Sequence, residues 1–279
     1  MSASGGGRSD ALHRIGVYVL LVLGAFLAIL PMLWMVSASL MPTGEASTFP
    51  PRILPRVVTF AHYRDLFTRL ALGRSLLNSA FIAITVTVIS VVVNSMAGYA
   101  LAKLRFKSSK KVYRGLSVGL VLPAQVAMLP LFLLMKQLHL VNTYWGVIIP
   151  GLASIFGILL THQYALAIPD DLLDAARVDG ASELQLYRLI VLPVIAPILA
   201  TLAIWTFLST WNDFMWPLIV LSDDRRYTLP VAIANLVGEH VQDTELMMAG
   251  SVVTVLPVML VFLFLQRYYI RGITAGSVK

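Results

Sequence analysis

Six apolar runs of roughly 20 residues or more, separated by polar stretches, constrain this chain more than anything else in it. They fall at about Ile15 to Leu40, Leu77 to Leu101, Gly115 to Leu134, Tyr144 to Tyr164, Leu192 to Val220 and Met247 to Gln266. A hydrocarbon core about 30 Å thick asks for helices of that length, because a segment crossing it must satisfy its backbone N–H and C=O groups internally. The short alternating segments of a transmembrane β-barrel do not appear. The expected fold is therefore all-α, a polytopic membrane protein with six transmembrane helices. Composition agrees, since 13% of residues are charged and 58% hydrophobic, against about 25% charged in soluble domains.

An even number of spans puts both ends on one side. Thirteen of the 21 Lys and Arg lie in the two terminal segments and the second and fourth loops. Six of these, Lys103, Arg105, Lys107, Lys110, Lys111 and Arg114, crowd the short second loop. Both termini and that loop are accordingly expected in the cytoplasm. The net charge of +7 is explained by this topology, and no basic patch interleaved with aromatics points to nucleic acid. MSASGGGRSD reads as a tail before a retained anchor, with no small-residue cleavage pattern after the first span. The expected sections are a cytoplasmic tail (1–14), a first helix and external loop (15–76), a transmembrane domain (77–266) and a cytoplasmic tail (267–279). Within the external loop, HYRDLF suggests a short helix. The fifth loop carries Asp223, Asp224, Glu239, Asp243 and Glu245, which suits either a face meeting a soluble protein or a solvated loop.

Several chemistries are missing. There is no cysteine, and the five histidines are scattered, so neither a thiolate nor a histidine metal site is expected. No GxxxxGK[ST], GxGxxG, HExxH or nucleophile elbow occurs. No catalytic residue and no cofactor are assigned to this chain. Polar residues inside spans are costly unless they face a cavity or partner. Asn78, Asn94, Ser95, Gln125, Thr210, Trp211, Asn212 and Asp213 are such residues, and Asn94, Gln125, Trp211, Asn212 and Asp213 are the candidates for a translocation path. Asp213 lies near the outer end of its span, which favours a role in fixing a helix kink or reaching interfacial water over ion coupling. Pro31, Pro123, Pro130, Pro150, Pro197 and Pro257 are expected to kink or break helices, and Gly115 with Gly119 to pack one helix on another.

The loop at 165–191 is different in kind. IPDDLLDAARVDGASELQLYRLIVLP, from Ile168 to Pro193, carries helix signals rather than loop composition. Pro169, Asp170 and Asp171 form a helix start, the acids capping free N–H groups and facing the positive end of the dipole. Leu172, Leu173, Ala175 and Ala176 supply an apolar patch. Gly180 interrupts, and Ser182 to Gln185 forms a capping box for a second helix ending before Pro193. A helix lying on lipid would be rich in Lys and Arg. This one holds Asp170, Asp171, Asp174, Asp179 and Glu183 against Arg177 and Arg188, so a protein partner fits better.

At these residues the sequence resembles the permease subunits of bacterial ATP-binding-cassette importers. Their signature runs Glu-Ala-Ala, three residues, Gly, nine residues, Ile-x-Leu-Pro. Asp174, Ala175 and Ala176 are followed at that spacing by Gly180 and by Ile190, Leu192 and Pro193, with Asp174 replacing the glutamate. NSMAGYALAKLRF, VNTYWGVIIP, WNDF and the ending RGITAGSVK resemble the shorter permease of the maltose-type carbohydrate branch. The resemblance implies a heterodimer with a second permease, two ATPase subunits that bind ATP and Mg, an extracytoplasmic solute-binding protein, a carbohydrate substrate and a surrounding lipid bilayer. It places an ATPase-coupling helix at Leu172, Leu173, Asp174, Ala175, Ala176, Asp179 and Gly180. An ATPase-contacting tail follows at Thr274, Ala275, Gly276 and Ser277. An ion-coupled secondary carrier, motivated by Asp213 and the proline-broken spans, and a non-transport membrane scaffold are the competing readings.

Overall fold

A computed structural model describes the backbone at residues 6–104, 106–239 and 243–275, and side chains at 13–104, 106–236 and 243–264. Among the described residues the regular structure is helical throughout. The helices are α1 (Gly6–Ala38), α2 (Ala61–Thr68), α3 (Leu72–Lys103), α4 (Ser109–Gly119), α5 (Ala124–Gln137), α6 (Tyr144–Gly151) and α7 (Ile155–Leu166). They continue with α8 (Asp170–Val178), α9 (Glu183–Leu186), α10 (Leu192–Trp211), α11 (Met215–Val220), α12 (Leu229–Glu239) and α13 (Thr244–Ala275). Five helical segments are long and apolar enough to cross a membrane: His13–Ala38, Leu72–Lys103, Tyr144–Leu166, Glu183–Trp211 and Thr244–Phe264. A sixth crossing is made only if α4 and α5 count together.

That pair corrects the third expected span. Instead of one helix over Gly115 to Leu134, α4 and α5 meet at a 108° bend. Pro123 sits at the bend with extended backbone, φ −61° and ψ 132°. Its ring denies the preceding residue the helical region and it has no N–H to donate, so the chain turns although hydropathy runs on unbroken. The fifth expected span is also shorter, since α10 ends at Trp211 and α11 begins only at Met215. Pro31, Pro130, Pro150, Pro197 and Pro257 lie inside helices.

The chain forms two compact units. One comprises the chain up to Ala71 with Asn235–Val255, the other Leu72–Ala234 with the chain from Leu256 onward. In the first, Ala38, Met41 and Ala46 make a small core with Trp34 and Met248. The short helix expected at HYRDLF is present as α2, and His62 packs inward with Nε2 2.9 Å from the Met41 carbonyl oxygen. Glu245, expected on an acidic open loop, is instead fully buried and accepts the Ala46 N–H at 2.6 Å.

The second unit is organised around α3, which packs most extensively on α7 and α10. Close approach of α3 and α7 depends on Gly98. A Cβ there would lie 2.6 Å from Thr161 Cβ, 2.7 Å from the His162 backbone nitrogen and 2.8 Å from the Ile158 carbonyl oxygen. The Gly115 and Gly119 pair behaves differently. Nothing lies within 4 Å of a Cβ at Gly115, while Gly119 faces only Ile155.

Candidate functional site

Two features of the second unit carry chemistry, a helix standing at the Lys103 end of α3 and a cavity towards its other end. The helix is α8. Asp170 and Asp171 occupy its first turn, where the dipole favours them, but no side chain caps it. Asp170 instead pairs with Lys103 Nζ at 2.6 Å. The same ammonium donates to the carbonyls of Ile168 at 2.6 Å and Leu166 at 3.4 Å, so one lysine secures the end of α7 and the start of α8. Its side chain is only 6% exposed.

At its C-terminus α8 closes on Gly180. The Ala181 N–H reaches back to the Ala176 carbonyl and the Gly180 N–H to the Arg177 carbonyl, both at 3.0 Å. Gly180 has φ +84°, a conformation in which an L side chain is strained. The capping box expected at Ser182 and Gln185 is formed. The helix it starts does not stop before Pro193. It continues through a π-helical turn at Tyr187–Val191 into α10, with Pro193 in the first turn of α10. Proline is tolerated in a helix's first turn.

Arg177 spans the Gly180 turn. It donates to Asp174 at 2.6 Å and to Glu183 at 2.9 Å, and Glu183 accepts the Tyr99 hydroxyl at 2.7 Å. Glu183 first and Asp174 second raise the Arg177 pKa, which keeps the guanidinium charged. Tyr99 also packs on Tyr187, whose hydroxyl is 2.6 Å from Ser95 Oγ.

The apolar patch expected on α8 divides. Leu173 is 1% exposed and belongs to a core with Tyr99, Ile168, Tyr187, Val191 and Ile195. Of the four residues expected to supply the patch, Leu173 is thus turned into the core. Ala176 and Arg177 are half-buried on the same inner side. Leu172 at 47% and Val178 at 88% exposure form the outer face with Ala175, and Asp174, Asp179 and Gly180 are exposed beside it. Val178 was not among the residues expected from sequence. Its signal was available, because 172, 175 and 178 recur every three residues, close to one helical turn. Thr274 and Ala275 close α13 with side chains outside the described residues, and Gly276 and Ser277 lie wholly outside them.

The cavity is about 710 Å³. It gathers Gln125 from the start of α5 with Asn212 and Asp213 from the break between α10 and α11. Ser79, Ile82 and Val86 of α3 contribute to the same wall, as do Thr210 and Trp216. Asp213 also serves locally, accepting the Trp216 backbone N–H at 3.3 Å, as the kink-fixing reading anticipates.

Asn94 and Trp211 are not in this cavity. Asn94 is fully buried and accepts the Ser154 N–H at 2.9 Å, where α6 and α7 are interrupted. A broken helix at membrane depth frees backbone groups that water does not reach, and the Asn94 amide takes one of them. Asn94→Leu is expected to destabilise the chain by about 1–3 kcal/mol through that orphaned N–H. Thermal unfolding of Asn94→Leu beside the unaltered chain in detergent measures it. Trp211 stacks on Phe207 at 5.7 Å and lines a separate apolar groove with residues such as Leu76 and Phe207.

Membrane-crossing helices around a cavity lined in part by polar groups define a membrane translocation subunit, and α8 packs against them with its outer face exposed. The chain belongs to the family described as the binding-protein-dependent transport system inner membrane component, whose profile matches residues 94–275. It is 38% identical over 258 residues to the arabinooligosaccharides transport system permease protein AraQ of Halalkalibacterium halodurans, covering 91% of this chain and 92% of that one. It is 33% identical to the lactose transport system permease protein LacG of Rhizobium radiobacter, covering 94% and 95%. A crystal structure of a bacterial ABC transporter involved in import of the acidic polysaccharide alginate aligns with a TM-score of 0.83 at 25% identity, covering 96% of this chain and all of that one. The chain is thus an importer permease with several membrane-spanning helices, and nothing in these matches supports an ion-coupled secondary carrier.

Proposed function

We propose that the chain is one permease of a heterodimer that carries a sugar, oligosaccharide or polyol inward across the bacterial cell membrane, driven by a separate ATPase. The observation that carries this reading is α8, whose outer face of Leu172, Ala175 and Val178 has no partner within the described chain while its inner face is locked down. A helix so held is suited to passing on the movement of something seated against it. The names of the similar permeases, for arabinooligosaccharides and lactose, support a carbohydrate as cargo.

In this arrangement α8 and both termini face the cytoplasm, where two ATPase subunits bind ATP and Mg and perform hydrolysis. Cofactor binding and catalysis fall to those subunits rather than to this chain. Asp174, Ala175, Ala176, Asp179 and Gly180 form or border the seat with Leu172 and Val178, and Leu173 supports it from behind. The tail at Thr274 to Ser277 reaches the ATPases. A solute-binding protein delivers cargo on the opposite side, and Gln125, Asn212 and Asp213 meet it in the cavity. Closure of the ATPases shifts the cavity between inward and outward access, which requires the docked helix to interact differently with the two states.

Reconstitution of the complex in lipid vesicles tests the reading. Uptake of the sugar that the cognate binding protein binds is expected to need ATP on the ATPase side and all subunits. Uptake driven by an ion gradient without ATP would overturn it.

A further inference from the structure

α8 lies between two spans, Tyr144–Leu166 and Glu183–Trp211, and both are irregular along their length. α7 starts after the interruption at residues 152–154, and α10 follows a π-helical turn and contains Pro197. Such features are where helices bend. α3 has no proline and runs unbroken for 32 residues, about 48 Å. It meets α8 through two side chains one helical turn apart. Lys103 holds the start of α8 through Asp170 and the Ile168 carbonyl. Tyr99 holds its end through Glu183 and Arg177, and Arg177 in turn holds Asp174. The remote half of α3 supplies Ser79, Ile82 and Val86 to the cavity wall. Asn78 there donates to the Arg225 and Tyr227 carbonyls at 3.1 and 3.0 Å.

We propose that α3 is the driven lever of this permease, with Tyr99 and Lys103 as the positioning residues that clamp both ends of α8 and carry its movement to the cavity. The inference rests on the importer reading above and adds the route by which docking reaches the cargo path. Movement enters α3 at its Lys103 end and leaves as a displacement of Ser79, Ile82 and Val86, bypassing the joints at 152–154 and 187–191. Gly98, one residue from Tyr99, lets α3 pack directly against the backbone of α7.

The test uses the absence of native cysteine. Asn212→Cys places a single thiol in the cavity, and its rate of reaction with N-ethylmaleimide is measured in the whole complex, with and without trapping by ATP and vanadate. In the otherwise unaltered chain, trapping is expected to change the rate. Adding Tyr99→Phe with Lys103→Met is expected to reduce that change by roughly tenfold, as loss of charge-assisted hydrogen bonds implies. The ATPase is expected to remain bound, because neither residue lies on the outer face of α8, and Lys103→Arg alone is expected to retain most of the response. A merely structural role would lower ATPase co-purification or melting temperature without selectively removing the response to trapping. A full response in the Tyr99→Phe, Lys103→Met chain, or a lost response accompanied by loss of the ATPase, overturns the lever. If trapping changes nothing even in the unaltered chain, the importer reading fails and takes the lever with it.

Discussion

Val178→Asp and Leu172→Asp, made singly, are expected to cut ATP-driven uptake by roughly a hundredfold or more while leaving the permease folded. Both side chains stand on the outer face of α8, exposed in the chain alone, so substitution there should change intrinsic stability by only about 0.5 kcal/mol. In a docked complex the same positions lose burial of about 1.5–3 kcal/mol for an aliphatic side chain. An aspartate also leaves a buried unpaired charge, which costs about 3–5 kcal/mol. Either term exceeds the 1.4 kcal/mol or so that makes a tenfold change in occupancy. Leu173→Asp, one residue from Leu172, should act differently. Leu173 is in the core with Ile168, Tyr187 and Val191, so the loop itself should unfold. Uptake, ATPase co-purification and melting temperature, measured together, separate the two outcomes.

Gly98→Leu is expected to have the largest effect on stability. The first added carbon would stand 2.7 Å from a backbone nitrogen and 2.8 Å from a carbonyl oxygen of α7, neither of which turns aside as a flexible side chain would. Overpacking costs about 1–3 kcal/mol where side chains can shift. Here α3 and α7 must part, which also pulls Asn94 from the Ser154 N–H. A loss of at least about 3 kcal/mol corresponds to roughly 6–12 °C in melting temperature for a chain of this size, or to no accumulation at all. Gly115→Leu is the control, because a Cβ there meets nothing within 4 Å. It should melt with the unaltered protein.

This contrast between glycines shows what the sequence could and could not disclose. Gly115 and Gly119 form a recognisable pair, whereas the packing contact lies at Gly98 and Gly157, on different helices, with no local pattern to link them. The spans were legible because hydropathy over about 20 residues is a strong signal. The bend at Pro123 was not, since apolar residues continue on both sides of it. The capping box at Ser182 and the turn at Gly180 were readable because they depend on side-chain chemistry within a few residues.

Which leucine of α8 faces inward was undecided by residue type. Leu172 and Leu173 are chemically identical, and only the position of Tyr99 and Tyr187 selects Leu173 for burial. The polar residues of the spans show the same limit. Gln125, Asn212 and Asp213 reach the cavity, while Asn94 is spent on a backbone N–H and Trp211 on an aromatic stack. Both uses satisfy the cost of placing such groups among apolar helices, so cost alone does not tell them apart. Pro193 marks a helix end in most sequences, but the π-helical turn at Tyr187–Val191 leads directly into α10 here.

On the proposed reading, the outer face of α8 seats an ATPase. Val178→Cys would be the chain's sole cysteine, and a short thiol-to-amine crosslinker applied to the assembled complex tests that claim most directly. The account predicts a covalent adduct between the permease and the ATPase subunit, with the thiol shielded from a soluble maleimide until the ATPase is removed. No adduct, and a thiol that reacts equally fast with and without the ATPase, would contradict it.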